Sequence, residues 1–234
     1  MTASAPPAPA GPPAFDTLSA LLHTRHSCRA FLPEPLPRAT IEQVLATAQR
    51  TASWCNAQPW QLTIASGATL ARLRAALAAA VPATPPAPDL PWPREYRGMY
   101  QDRRRECGFG LYDAVGIARG DRAASAQQVA LNFTMFGAPH VAIVSSDEAL
   151  GVYGAVDCGA YVGNFMLAAH SLGIGSIAQA ALAAYPAVLR DVLGIGTDRS
   201  IVCAISFGRA DPQHPANRFR TTRADVAQAV QWRD

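Results

Sequence analysis

The sequence predicts an α+β fold, a small sheet packed by helices. Apolar residues at helical spacing outnumber strand patterns along the chain. The clearest strand candidates, at 61–66, 140–146 and 200–207, are short, apolar and far apart in sequence. No strict strand–helix alternation links them, so a doubly wound parallel sheet is not called for. A chain of 234 residues can bury one sizeable core, and nothing in it demands a second. The expected organisation is an Ala/Pro-rich disordered tail over 1–14 and a single domain over 15–234.

In order, helical spacing predicts a first helix over 15–24 and a second over 38–50, with Ile41, Val44, Leu45 and Ala48 on its core face. A strand at 61–66 and a helix at 68–80 follow. Residues 81–93 hold six prolines and no periodicity, which reads as a surface loop or lid. Helical patterns return at 99–118 and 121–136, then the strand at 140–146. Residues 152–171 are apolar all round apart from Asp157, Asn164 and His170. An internal Asp, the absence of basic flanks and the glycines 154, 159 and 163 argue against a membrane span. A buried core or dimer-interface helix is expected instead. A short helix at 186–193 and the strand at 200–207 complete the pattern, and the chain from Arg209 is irregular to about Arg223.

Composition narrows the chemistry. Half the residues are hydrophobic, 16% are charged and the net charge is +3, a globular balance with no footprint for nucleic acid. Every one of the 20 basic residues is arginine. The lysine of a P-loop, of a kinase or of a Schiff base is therefore missing, and any bound phosphate must be held by arginine, hydroxyls and backbone N–H groups. The five cysteines are scattered and odd in number, which fits neither a disulfide framework nor a zinc site and suits a reducing cytoplasm. The five histidines show no metal-ligand spacing, so no metal is expected. The tail lacks the basic and apolar regions of a signal peptide.

Familiar motifs fail on context. Gly173-Ile174-Gly175-Ser176-Ile177-Ala178 spells G-x-G-x-x-A, but it follows a helix where a dinucleotide fingerprint needs a strand; loop and strand is the plainer reading. Ala204-Ile205-Ser206-Phe207-Gly208 has no helix pattern immediately after it, and Asp211 and His214 follow too closely in sequence to be the usual later triad partners.

Two stretches carry positive information. Arg25-His26-Ser27-Cys28-Arg29-Ala30-Phe31 gathers a guanidinium, an imidazole and a hydroxyl, donors suited to a phosphate. Ser53-Trp54-Cys55-Asn56-Ala57-Gln58-Pro59-Trp60 sets amides among aromatics, suited to the polar edge and the face of a flat heterocycle. Their order, with a Pro-led helix between them, resembles the nitroreductase family of FMN-dependent oxidoreductases. Arg103-Arg104-Arg105, Asn132-Phe133-Thr134-Met135-Phe136-Gly137-Ala138-Pro139, Ser176-Ile177-Ala178-Gln179-Ala180 and Asn217-Arg218-Phe219-Arg220 extend the resemblance toward its nitrobenzoate-reductase branch. One departure is Thr51-Ala52-Ser53-Trp54-Cys55, where the family commonly has Ala-Pro-Ser before the Asn.

The resemblance implies a nitroreductase-like fold, a mostly antiparallel central sheet in an intertwined homodimer, with FMN at the subunit interface. It makes Arg25 and Ser27, supported by His26, the phosphate grip, with Arg218 and Arg220 as a second arm. Ser53, Trp54, Asn56 and Gln58 become flavin-site ligands reaching over from the partner subunit, and Gln179 and Ala180 the backbone facing the flavin N5 region. Trp54, Phe133 and Phe136 are the implied substrate-pocket walls, although plain core suits the phenylalanines better. The implied reaction is ping-pong, with NADH or NADPH as donor and a small nitroaromatic or quinone as acceptor; no side-chain acid or base is needed, because the flavin carries the chemistry. A narrower FMN-dependent enone reductase or dehydrogenase, and a non-catalytic FMN-binding, storage or sensing protein, are the alternatives. Arg103–Arg105 is either a solvated helix face or a seat for an anion such as the extra phosphate of NADPH.

Overall fold

The structure is a computed structural model and describes residues 12–233. Its first helix, α1 (Pro12–Thr24), begins inside the stretch expected to be tail. Pro12 and Pro13 sit in the first turn, where a missing N–H costs nothing because that donor has no intrahelical partner. The rest of the expected tail lies outside the described residues.

Then come α2 (Arg38–Ala48), β1 (Gln61–Ser66), α3 (Gly67–Ala83), α4 (Met99–Ala114), α5 (Arg122–Ala130), β2 (His140–Asp147), α6 (Gly151–Ser171), β3 (Gly175–Gln179), α7 (Pro186–Leu193) and β4 (Arg199–Gly208). The strands pair antiparallel throughout, in the order β1-β2-β4-β3. The expected small, mostly antiparallel sheet flanked by helices is therefore present.

Alternation along the strands divides the core into two layers. Val141 and Ile143 of β2 face α3 and α7, beside Leu73, Leu77 and Leu189; Ala142 and Val144 face α2 and α6, beside Val44, Tyr161 and Phe165. On β4, Ile205 and Phe207 join the second layer but Ile201 joins the first. The register slips between Val144 and Ser145, which pair with Cys203 and Ile201, so Val202 is an extra residue that reverses the alternation.

Three expectations need correction. The helix expected over 121–136 stops at Ala130 and gives way to a 3-10 segment, Leu131–Gly137, in which Met135 and Phe136 take positive φ of 55° and 53°. Asn132 and Thr134 donate side-chain hydrogen bonds to the carbonyls of Val129 and Leu131, a local alternative to helical pairing. The helix expected over 99–118 ends at Ala114. The Pro-rich stretch lies partly in the last turn of α3, and beyond it is strapped down and not free: Ala87 N–H donates to Ala184 O (2.9 Å), and Asp89 pairs with Arg190 at 2.7 Å and accepts from Ile201 N–H.

After α1 the chain runs along the free edge of β3. Ser27 bridges Ser176 in parallel, and Cys28 N–H donates to Ser176 O at 3.0 Å. A second bridge, Phe31 with Ala210, ties the same stretch to the chain leaving β4. These contacts bring residues 25–31 and 217–223 to one side of the molecule.

Candidate functional site

The edge segment 25–29 turns most of its side chains, His26 included, to one side. Cys28 points into the core, 1% exposed, with its thiol pushed up to about 11 by burial, while Arg25, Ser27 and Arg29 open onto a cleft. That cleft has a volume of about 840 Å³ and takes its far wall from Phe219, Arg220 and Arg223. Asn217, buried, fixes the two walls together: its Oδ1 accepts from Arg29 N–H at 2.7 Å and its Nδ2 donates to Ala30 O at 2.8 Å.

The cleft is electropositive and uncompensated. Among the described residues, none of Arg25, Arg29, Arg220 and Arg223 has a carboxylate within ion-pair distance. Burial, then the Arg223 charge, lowers the pKa of Arg25, and burial lowers that of Arg29. His26 is lowered by burial and by Arg220, His170 and Arg25, against an opposing hydrogen bond to Thr24 O. His170, at the end of α6, is lowered by burial, Arg25 and Arg220, and its Nε2 meets Thr24 Oγ1 at 2.8 Å. Each group would regain its ordinary basicity beside an anion, so this donor set fits a phosphate.

Through Arg29 the cleft opens into a pocket of about 240 Å³ between the end of β3 and the helices α4 and α5. Ile177, Ala178, Gln179 and Ala180 form one wall; Leu111, Tyr112, Gln128 and Val129 form the other, with Phe136 beside them. The Gln179 side chain is committed to the protein: Nε2 donates to both Asn132 oxygens, at 3.0 and 3.1 Å, and Oε1 accepts from Ser206 Oγ. Only its backbone, with that of exposed Ala180, is offered to the pocket.

Not every expected residue meets here. Arg220 lines the cleft, but Arg218 is exposed and turns to Gln213 Oε1 at 3.4 Å. Phe133 packs edge-on against Tyr185, ring centres 5.5 Å apart, and does not line the pocket as Phe136 does. The Arg103–Arg105 run does not act as a unit: Arg103 donates to Gln228 at 2.8 Å and Arg104 sits over the Tyr96 ring at 5.3 Å.

Ser53, Trp54, Asn56 and Gln58 lie together elsewhere, beside α6. Ser53 Oγ accepts from Gln58 N–H at 2.9 Å, and the Asp157 carboxylate holds Trp54 N–H at 3.2 Å. Trp54, 60% exposed, stands edge-on to Tyr153 with centres 4.5 Å apart. Cys55, Asn56 and Gln58 all have positive φ, 51°, 55° and 49°. Side chains in that region cost about 1–2 kcal/mol each, least for Asn. Strain of this kind gathers where a backbone is held for a purpose.

Four contributors have no role assigned from the sequence: Arg29 and Asn132, which stand inside the quoted stretches, and Arg223 and Gln128, which do not. Arg29 was the most findable, since it continues the period-two spacing of Arg25 and Ser27. Among the described residues, no group of His, Cys, Asp and Glu side chains is placed to hold a metal, and no helix is long and apolar enough to cross a membrane.

Comparison with known proteins adds the following. Residues 22–209 match the model of the Nitroreductase family. Nitroreductase NfnB of Mycolicibacterium smegmatis is 34% identical, over 98% of this chain and 99% of that protein. A 4-nitrobenzoate reductase of Pseudomonas putida is 31% identical, over 89% and 92% respectively. Among solved structures, the FMN-dependent nitroreductase NfnB from Mycobacterium smegmatis in complex with NADPH superposes with a TM-score of 0.89 at 32% identity, covering 94% of this chain and 99% of that one.

Proposed function

The chain belongs to the nitroreductase family, and from that premise we propose that it is an FMN-dependent oxidoreductase moving electrons from NAD(P)H to nitroaromatic or quinone-type acceptors. The observation that carries this reading is the uncompensated arginine cleft leading through Arg29 to the pocket at the end of β3.

Arg25 and Arg220, with the Ser27 hydroxyl and His26 beside them, hold the FMN phosphate by charge-assisted hydrogen bonds. Arg29 stands where cleft and pocket meet, a fixed positive charge next to the ring system. The backbone of Gln179 and Ala180 faces the reacting edge, and the Gln179 side chain, locked to Asn132 and Ser206, keeps that backbone in place. Phe136 and Ile177 exclude water from the ring. FMN, when bound, supplies the two-electron chemistry, taking reducing equivalents from NAD(P)H and passing them to the acceptor in a ping-pong cycle.

The working unit in this reading is a homodimer. Val152 and Val156 on α6 are 74% and 59% exposed, on the same helix as Tyr153, against which Trp54 packs, an apolar stripe suited to a second copy. Ser53, Asn56 and Gln58, remote from their own chain's cleft, then complete the flavin site of the partner. With its five cysteines unpaired, the protein is assigned to a reducing cytoplasm.

The test is anaerobic. The purified protein should be yellow with non-covalent FMN, and NADH or NADPH should bleach it. Flavin that binds but resists bleaching would leave a carrier, and failure to bind FMN at all would overturn the reading.

A further inference from the structure

The pocket at the end of β3 holds a polar group that neither the fold nor the phosphate grip uses. Among the described residues, three enclosed side-chain polar atoms have no hydrogen-bond partner: Gln128 Nε2, His140 Nδ1 and Arg190 Nε. The last two belong to side chains whose other nitrogens are bonded, His140 Nε2 to Leu36 N–H and the Arg190 terminal nitrogens to Asp89. Gln128 differs, because it borders the pocket. An enclosed amide N–H left unpaired is costly, and a pocket that keeps one is a pocket that expects an acceptor atom.

The surroundings say what carries that atom. Leu111, Val129, Phe136 and Ile177 set apolar side chains around that donor, the surround of a flat ring. Gln128 is on α5 and Tyr112 on α4, both on the wall across from Gln179 and Ala180. In the function proposed above, the flavin edge is addressed by the backbone at the end of β3, so the α4–α5 wall falls to the second ring. We propose that Gln128 is a specificity-determining residue whose amide N–H donates a hydrogen bond to an oxygen of the electron acceptor, a nitro, carboxylate or quinone oxygen carried on a flat ring. This rests on that function and goes beyond it in naming the residue that recognises the acceptor.

The test compares Gln128→Leu, which keeps the bulk, and Gln128→Glu, which keeps the shape and loses the donor, with the wild type as FMN-loaded enzyme. FMN affinity should not change; bleaching by NADPH, which must reach the same flavin, is measured on its own so that acceptor effects are read from the oxidative half-reaction alone. For 4-nitrobenzoate and p-benzoquinone, kcat/KM should fall about three- to tenfold through KM, the loss of one neutral hydrogen bond. Gln128→Glu should discriminate further, losing more with anionic 4-nitrobenzoate than with neutral nitrobenzene. Ferricyanide, which takes electrons without seating in an apolar pocket, should be reduced at the wild-type rate. Weakened FMN binding or an equal loss with ferricyanide would overturn the assignment, as would unchanged kcat/KM for both ring acceptors. A wild-type protein that never binds or never reduces FMN would be a failure of the proposed function, read before any variant is compared.

Discussion

Arg25→Ala should change ligand binding and fold stability in opposite directions. The guanidinium is half-buried, faces the cleft and has no carboxylate partner among the described residues, while burial and Arg223 already lower its pKa. Without a ligand, Arg25 is therefore a source of repulsion toward Arg223. Removing it deletes a charge-assisted contact to the phosphate, a loss of about 1.5–3 kcal/mol, or roughly ten- to a hundredfold in FMN affinity. The same substitution relieves like-charge repulsion in the apo protein, whose melting temperature should hold or rise. Arg38→Ala is the control: Arg38 is 91% exposed and pairs only with Glu42 on its own helix, so FMN affinity should not change. Fluorescence titration of apo protein with FMN gives the affinities, and thermal melts with and without FMN give the stabilities. Equal FMN affinities for the two variants, or an apo protein clearly destabilised by Arg25→Ala, would refute the reasoning, since Arg25 would then support the fold and not the ligand.

The remaining predictions concern packing, pH and assembly. A Cβ at Gly154 would overlap Ser146 Oγ and lie 3.0 Å from Leu150 Cβ, so Gly154→Ala should cost about 1–3 kcal/mol in urea unfolding. Ser146→Ala in the same chain should recover part of that loss. His26, His140 and His170 all have pKa values lowered by burial, so the unfolded chain takes up protons first, near pH 6.5. Apo stability should be full above that pH and fall as pH drops through the lower folded values; guanidinium midpoints at pH 8 and pH 5 measure it. His140→Gln should flatten the slope, because protonating His140 sacrifices the bond from Leu36 N–H. Mixing Arg25→Ala subunits with subunits carrying Asn56→Ala and Gln58→Ala should restore about a quarter of wild-type activity, because half the dimers are mixed and each holds one intact site. No recovery despite proven subunit exchange would rule out the shared site.

Much of the fold was legible because hydrophobic periodicity reports burial directly. Ile41, Val44 and Ala48 face the core as their spacing predicts, and the strands at β1, β2 and β4 fall where short apolar runs stood. What escaped the sequence depends on tertiary contacts. Met135 and Phe136 hold a left-handed backbone that no local residue requests; the core enforces it by burying Met135 completely. β3 falls within the stretch read as loop and strand, but its place at the sheet edge is fixed only by its pairing with β4. In the site, the donor cluster at 25–27 was visible as residue types, whereas Arg218 and Arg220 could not be separated. Spacing of two would put both on one face of an extended segment, but Arg218 closes the 3-10 turn Pro215–Asn217 with φ of −89° and ψ of −19°, and only that folded path shows that Arg220 is the one turned to the cleft.

The uniform apolarity of α6 has a sharper meaning in the structure than a buried helix would have given it. One face is consumed internally, by Gly154, Cys158, Tyr161 and Phe165 against the sheet. The other keeps Val152, Val156 and Gly159 open, and a Cβ at Gly159 would meet nothing within 4 Å. At the head of that open stripe stands the strained loop of Cys55, Asn56 and Gln58, tethered to α6 through Asp157. An exposed stripe and a strained loop are each unfavourable for an isolated chain, and their adjacency ties them to one cause. On the proposed dimer, covering the stripe offsets the strain, and the loop's left-handed turn presents amides to a flavin held by the other chain's arginines. Strain stored in one subunit is then repaid only across the interface, which makes cofactor binding and assembly a single linked equilibrium. Added FMN should accordingly shift the sedimentation of dilute apo protein from monomer to dimer, and a dimer affinity indifferent to FMN would break the link.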